Sequence, residues 1–562
     1  MRQKILCILF AALFVCCEGI SRGQGSETYI RAAVDSLDRI EPQPLRTVKP
    51  LGRAFTINVK TQTDFDRLNS TITEALQAGE TNIRVKIGNG KFRYHENHIL
   101  RRDEKRPEVS ITVEGKRRTV LTSDGGSITV GGEIQECWQE MVYADGQIVV
   151  VDAGRKWCRI PYNNHLTKAE RARIKKVQVT EWFRAPVYEV EKVDDGGVYF
   201  VATDLQETAI NGRKGYNVNY DYLYREKTPR FRLYDSGFER QCDAARWLCL
   251  ERDSYRQIVL KNLHFVSNMA GGPLMTLGNL KAEAISISGC TFEYIRGTVL
   301  SASTTGNIIF DKNVVRHTAG DELRFLNNCE NVRVTGNLFE NCGKTISNTV
   351  CVNCREATYY IANNTFCDFG YGAIGVGVWH GFEKKNPSRG IIEHNEIYFT
   401  PEYFANAWKH MLMDSGAIYT WTQNDQVIIR YNYIHDYTGA GDNRGIFCDD
   451  GANNLKIYRN VVVNTPNCYC IDSRYGKDQK AGFTNNANNF MAQNVVDGRV
   501  RFQGYADMQR HVVKGANYIL KQNEGKASIQ NKFENLEVIE EDVEVKRVQE
   551  VQKLKEFKKF KL

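Results

Sequence analysis

Asp414-Ser-Gly-Ala-Ile-Tyr-Thr-Trp421, Val427-Ile-Ile-Arg-Tyr-Asn-Tyr-Ile-His-Asp436 and Asp442-Asn-Arg-Gly-Ile-Phe-Cys-Asp-Asp-Gly451 follow one another late in the chain. Gly-Ala-Ile-Tyr and Arg-Gly-Ile-Phe have the same shape, and both are bracketed by carboxylates. Between them runs a β-branched strand ending in Asn432-Tyr-Ile-His-Asp. This is one repeat unit of a stacked architecture, and it concentrates Asp, His, Trp and Arg.

Working outward, the Asn-centred turn recurs. Asn262-Leu-His-Phe, Cys290-Thr-Phe, Asn313-Val-Val, Asn337-Leu-Phe, Asn364-Thr-Phe, Asn395-Glu-Ile, Asn432-Tyr-Ile, Asn460-Val-Val and Asn494-Val-Val are spaced 28, 23, 24, 27, 31, 37, 28 and 34 residues apart. Periods of this size mark solenoids. The units hold strands and turns with almost no helical periodicity, so each coil gives strands to parallel sheets. In register, equivalent positions sit about 4.8 Å apart. A column of Asn can then join by amide-to-amide bonds while a column of Ile, Val and Phe fills the inside. The expected fold is all-β, a right-handed parallel β-helix (a pectin lyase-like solenoid) with an inserted β-rich domain.

The rest of the chain frames this repeat. Arg2 and Lys4 precede an apolar run from Ile5 to Cys17, too short to span a bilayer. Residues 1–22 therefore read as a secretory signal, cleaved between Cys16 and Gly25, with Cys16 or Cys17 as a possible lipid-anchor position. No other segment is apolar enough to be transmembrane. The expected location is periplasmic, extracellular or cell-surface. Residues 23–135 are assigned to an extended lead-in, a cap helix and the first coils. In that helix Thr63 is the expected N-cap, and the helix runs from Asp64 to Ala78 with Gly79 ending it. Residues 136–235 lack the repeat and read as an inserted β-domain, whose Trp182, Arg184 and Tyr188 could edge a cleft. Residues 236–505 form the main helix with the catalytic groove, and 506–562 a C-terminal segment with a charged tail.

Apolar content of 42% and charged content of 25% are ordinary for a globular protein. A net charge of +8 over 562 residues, with no basic-aromatic patch before the tail, argues against nucleic acid. Three of the sixteen cysteines fall in the signal, leaving an odd number. Cys351-x-x-Cys354 and Cys468-x-Cys470 lack a second ligand pair, so the cysteines read as small core residues and no metal or cofactor is expected.

The chemistry is expected on the strands Gly372 to His380, Gly416 to Trp421, Arg444 to Asp449 and Tyr469 to Arg474. Aligned on Ile374, Ile418, Ile446 and Ile471 as inward residues, alternation sends Tyr419, Phe447 and Asp472 outward, then Trp421, Asp449 and Arg474. An exposed groove of aromatics, carboxylates, Arg and His suits a polysaccharide or oligosaccharide. Glycoside hydrolysis uses two carboxyl groups about 5–10 Å apart. Asp414 and Asp442 occupy equivalent positions and should stack. Asp449 and Asp450 lie at the far strand end, about 20 Å from Asp414 if the strand is straight. Unless the turn at Asp414 folds over the sheet, Asp436 or Asp442 is the nearer partner.

Asp-x-Gly-Ala-Ile-Tyr, Tyr-Ile-His-Asp and Gly-Ile-Phe-x-Asp-Asp-Gly resemble motifs of the right-handed β-helix glycosidases, especially glycoside hydrolase family 141 and more distantly family 120. The resemblance implies a secreted hydrolase whose catalytic pair is Asp414 and Asp449, with Asp450 where Glu often stands. It implies fucosides, xylosides or xylan as substrates. In that reading Trp421 and His380 hold the sugar with Tyr419, Asp472 and Arg474, and Arg444 or His435 tunes the pair. A polysaccharide lyase on the same fold, using Arg444 and Arg474 toward a uronate, is the alternative. A non-catalytic glycan-binding solenoid is the third reading.

Overall fold

The computed structural model describes residues 25–45, 52–94 and 105–123, strands and short segments between 129 and 234, most of 247–472, and parts of 489–539. Three long parallel sheets run the length of the molecule. The first begins at Phe55–Val59 and ends at Val512–Lys514; the second runs from Gly90–Tyr94 to Leu536–Ile539. The third starts at Leu248–Glu251 and ends at Ile529–Gln530. Each coil contributes one strand to each sheet in turn, as in Asn424–Arg430, Tyr433–His435 and Arg444–Cys448. This is a parallel β-helix.

Alternation builds the inside. In Asn82–Ile87, Ile83, Val85 and Ile87 are buried while Arg84 and Lys86 are exposed. One continuous apolar core runs from Ile57 to Val500. Within it Phe265 and Phe292 stack at 5.2 Å, and Phe339 and Phe366 at 4.8 Å, the rung spacing of the sheets.

The turn between the first and second sheets is where the Asn anchors sit. Asn313, Asn337, Asn364, Asn395, Asn432, Asn460 and Asn494 form an unbroken amide ladder with side-chain contacts of 2.9–3.2 Å. Each carboxamide oxygen also accepts the preceding Asn backbone N–H, so the buried polar groups are satisfied. The residue before each ladder position is left-handed, for example Asn363, His394, Tyr431 and Arg459 at φ +53 to +57. Asn262 is not in the ladder. It is itself the left-handed residue, and buried Leu263 takes the equivalent place.

The ends of the chain differ from expectation. Gly25–Asp38 is a helix, not an extended lead-in. Its Val34 and Leu37 pack on Ile391, Ile428, Tyr458 and Phe490, outside the first sheet. Arg430 donates to the carbonyls of Leu37 and Ile40 at its C-terminus, at 3.0 and 3.1 Å. The tertiary contact supplies the stability that its sparse apolar residues do not signal. The cap helix is two segments, Gln62–Asp66 and Leu68–Gln77, and Thr61 rather than Thr63 is the N-cap, in a capping box with Asp64. Strands continue past residue 505 to Leu536–Ile539, so part of the C-terminal segment extends the coils.

Between the second-sheet strand Thr119–Ser123 and the third-sheet strand Leu248–Glu251, seven strands from Glu140–Asp145 to Arg230–Tyr234 pair antiparallel with one another. They carry their own core of Cys158, Ile160, Val177, Val198 and Phe200. Tyr188 is buried in it, 5.2 Å from Phe200, and does not edge a cleft. Trp182 and Arg184 lie outside the described residues, as do residues 1–24 with Cys16 and Cys17. Eleven described cysteines are free thiols, all but Cys249 buried. Among the described residues no helix is long and apolar enough to cross a membrane.

Candidate active site

The third sheet changes character along its length. Met275–Gly278, Leu300–Ser303 and Leu323–Leu326 alternate between buried and part-exposed residues. Gly372–Val376, Gly416–Thr420 and Arg444–Cys448 are buried at every position. Here the outer face of the sheet is covered as well as the inner one, and outward side chains form a separate apolar cluster of Val350, Tyr419, Trp421, Phe447 and Cys470.

The register places these side chains. Ile374, Ile418 and Ile446 align as expected, but Ile446 pairs with Tyr469, not Ile471. One outward column therefore reads Asn353, Gly375, Tyr419, Phe447, Cys470. The next reads Arg355, Gly377, Trp421, Asp449, and Asp472 follows Ile471, the partner of Cys448. The shift of two residues moves Asp472 from the Tyr419 column into line with Asp449. Tyr419 and Trp421 do point outward, but they are 4% and 7% exposed, so they do not line an open groove.

Gly375 and Gly377 make room for Trp421. A Cβ on Gly375 would lie 3.0 Å from the indole ring, and one on Gly377, at φ +102, would lie 2.7 Å from the Trp421 carbonyl oxygen. The indole lies over Gly375, and the Trp421 backbone passes close to Gly377.

Asp414 opens this part of the site. Its backbone is left-handed at φ +58, and its carbonyl accepts the Tyr371 hydroxyl at 2.8 Å. Its carboxylate Oδ1 accepts from Arg444 Nη1 at 3.0 Å. The Arg444 side chain is 2% exposed, and its guanidinium carbon sits 4.0 Å from the centre of the Phe447 ring. Asp414 thus leans over the outer face of the sheet instead of trailing away from it. Behind it, buried Ser415 bonds the Tyr437 hydroxyl at 3.2 Å and accepts from Asn443.

Asp449 closes the other side. Tyr419 donates its hydroxyl to Asp449 Oδ2, and the Tyr419 ring meets Phe447 edge-on at 4.8 Å. Tyr371 lies 6.2 Å from Tyr419. Burial pushes both phenols well above the usual tyrosine range. The charges of Asp414 and Asp449 both add to each shift. Both carboxylates therefore lie within electrostatic reach of the same pair of phenols.

His435 and Asp436 lie elsewhere, at the end of a second-sheet strand. His435 Nδ1 is 2.7 Å from Asp436 Oδ2, and its ring stacks on Tyr398 at 4.9 Å. Asp436 also accepts from Asn464. The structure does not bring either residue to the Asp414 carboxylate. His380, Asp442, Asp450 and Arg474 lie outside the described residues, as does the side chain of Asp472. Among the described residues no group of three or more His, Cys, Asp or Glu is placed to hold a metal.

Sequence reasoning passed over Tyr371 and the coils before it. Asp321 Oδ1 accepts the Val350 N–H at 2.7 Å, and its Oδ2 lies 3.3 Å from Asn353 Nδ2 and 3.5 Å from Arg324 Nε. Arg355 donates Nε to Asn353 Oδ1 at 3.2 Å, and its guanidinium lies 4.9 Å from the Trp421 ring centre. Extending the strand alignment one coil back, to Val350-Cys-Val-Asn-Cys-Arg355, would have found Asn353 and Arg355.

No family model matches the chain, and no curated protein matches it. Among solved structures it is similar to one titled glycoside hydrolase, at 11% identity and a TM-score of 0.40, covering 88% of this chain and 98% of that one. It is similar to XylC in complex with xylose at 8% identity and a TM-score of 0.41, covering 87% and 86%. It is also similar to the A-module of the mannuronan C-5 epimerase AlgE6 of Azotobacter vinelandii, at 9% identity and a TM-score of 0.34, covering 85% and 93%. At these scores the likeness is one of chain path, and function has to be read from the site.

Proposed function

We propose that this chain is a secreted glycoside hydrolase in which Asp414 and Asp449 form the working pair. The observation that carries the reading is the shared environment of the two carboxylates. Asp414 is held by a buried guanidinium through its carboxylate and by Tyr371 through its carbonyl, Asp449 is held by Tyr419, and the two phenol rings lie 6.2 Å apart.

The partners divide the roles. A carboxylate beside Arg444 keeps its charge, so Asp414 is the nucleophile, or the base that takes a proton from water. Asp449 is 6% exposed beside the apolar Trp421 and Phe447, a surrounding that suits a proton donor, while the Tyr419 hydroxyl stabilises the carboxylate left once the proton is given. Asp449 gives its proton to the glycosidic oxygen as the bond to the anomeric carbon breaks. The electron-poor carbon is then captured by the Asp414 carboxylate or by the water it activates. The basic n-region and short apolar run at the N-terminus support secretion. The motif resemblance points first to fucosides, xylosides and xylan.

The test is product analysis on a panel of plant and host glycans, with reducing ends measured beside the ultraviolet absorbance of an unsaturated uronate. Reducing ends without that absorbance, lost in Asp414→Asn and Asp449→Asn, support the hydrolase. The absorbance would instead indicate a lyase and sink the two-carboxylate mechanism. Binding without any product would leave the glycan-binding solenoid.

A further inference from the structure

In the same outward column as Asp449, three strands toward the N-terminal coils, lies a cation that the hydrolytic step does not use. Arg355 is level with Gly377, and its guanidinium reaches Trp421 on the strand beyond it. The contact of 4.9 Å clamps one face of the guanidinium, and the Asn353 carboxamide fixes its Nε edge. Neither terminal nitrogen is among the buried, unbonded side-chain atoms. Among the described residues neither donates to another side chain, and Arg355 is partly exposed. Arg324, 41% exposed, stands beside it, and Asp321 is the carboxylate near both arginines among the described residues. Asp321 is spoken for by the Val350 N–H and by Asn353. Burial lowers the Arg355 pKa more than the Asp321 charge restores it, as expected of a cation short of counter-charge.

A planar fork held on two sides, with both terminal nitrogens unengaged by the described side chains, is a preformed receptor for a flat anion. Trp421 is nearly covered, so it serves as the shelf under Arg355 and not as a platform for a sugar face. We infer that Arg355, supported by Trp421, Asn353 and Arg324, forms a subsite for an anionic sugar residue, its carboxylate or sulfate seated on the guanidinium, beside the bond cleaved at Asp414 and Asp449. The activity arm of this inference rests on the hydrolase reading; its binding arm does not.

The experiment uses full-length protein and matched glycans: glucuronoxylan and pectic oligosaccharides, their carboxyl-reduced counterparts, and sulfated counterparts of the reduced forms. Binding is measured by calorimetry, and kcat/KM wherever product forms. Wild type should favour the anionic forms by about tenfold or more, the scale of one charge-assisted pair. Arg355→Gln should bring that ratio toward one. Preference for the uronate over the sulfate names the carboxylate, and the reverse names the sulfate. If Arg355→Gln does not fold, Arg355→Lys, which keeps the charge and loses the fork, should still lower the ratio. Equal binding of anionic and reduced forms by wild type, or an unchanged ratio in Arg355→Gln, overturns the subsite. Preferential binding with no product from any glycan keeps the subsite and removes the hydrolase.

Discussion

Arg444 Nη1 stands 3.0 Å from Asp414 Oδ1, joining two consecutive coils across 30 residues of sequence. The guanidinium is almost wholly buried over Phe447, so its charge is answered inside the protein. Removing one partner of such a pair costs about 3–5 kcal/mol, because the other is left without its counter-charge. Arg444→Met should therefore lower both activity and the denaturant midpoint. Asp414→Asn combined with Arg444→Met should recover part of the midpoint and none of the activity. A double variant that loses as much as the two single variants added together would show that the pair is not energetically coupled.

The Tyr419–Asp449 bond makes a different prediction. Burial, with the nearby carboxylates, holds the Tyr419 phenol well above its usual range, so it stays protonated and donates across the working pH. A phenol that donates to a carboxylate favours the charged form. Tyr419→Phe removes that preference without changing the ring that packs on Phe447. With Asp449 as the acid, kcat should fall by about ten- to a hundredfold, a loss of order 1.5–3 kcal/mol. The alkaline limb of the pH–rate profile should move upward. An alkaline limb that stays in place would assign the proton to another group.

The repeat was legible because its chemistry is local. Asn at a turn, then an apolar residue two further on, is a pattern any coil must satisfy alone, and the ladder from Asn313 to Asn494 follows it. Asn262 misled by one position because a left-handed turn residue and a ladder residue are both naturally Asn. Outward directions followed from alternation, yet exposure did not. Tyr419 and Trp421 face away from the helix axis and are still buried, since alternation knows nothing of what covers a sheet. The meeting of Asp414 with Arg444 was hidden by a single left-handed φ at Asp414 and by the reach of the arginine. The helix Gly25–Asp38 was hidden because its partners, such as Ile391 and Tyr458, lie hundreds of residues away.

The ladder can be weighed by breaking one rung. Asn395 accepts the Asn364 backbone N–H at 3.1 Å and side-chain amide at 2.9 Å, and donates to the Ile361 carbonyl and to Asn432. Alanine there strands buried donors and acceptors at about 1–3 kcal/mol each. Asn395→Ala should cost about 3–5 kcal/mol in denaturant unfolding. Asn262→Ala, at a left-handed position outside the ladder, should cost only about 1 kcal/mol. Similar losses at the two sites would mean that the turn conformation, not the amide column, is what stabilises the coils.

Lys456 offers a pH test of the seam where the N-terminal helix meets the first sheet. It pairs in register with Ile428 and Phe490, which pack against Val34 and Leu37 of that helix, and it is 7% exposed. Burial pushes its pKa down from 10.5 to about 8. The folded pKa lies below the unfolded one, so between about pH 8 and 10.5 the unfolded chain binds more protons and stability rises with pH. Below pH 8 the folded protein carries the buried ammonium, at a cost of up to about 3 kcal/mol. Lys456→Met removes that cost and keeps the apolar stem. It should raise the unfolding midpoint at pH 7, and the gain over wild type should shrink steadily as the pH approaches 10. A gain that is the same at both pH values would mean that methionine packs better there, and that the ammonium was never a burden on the seam.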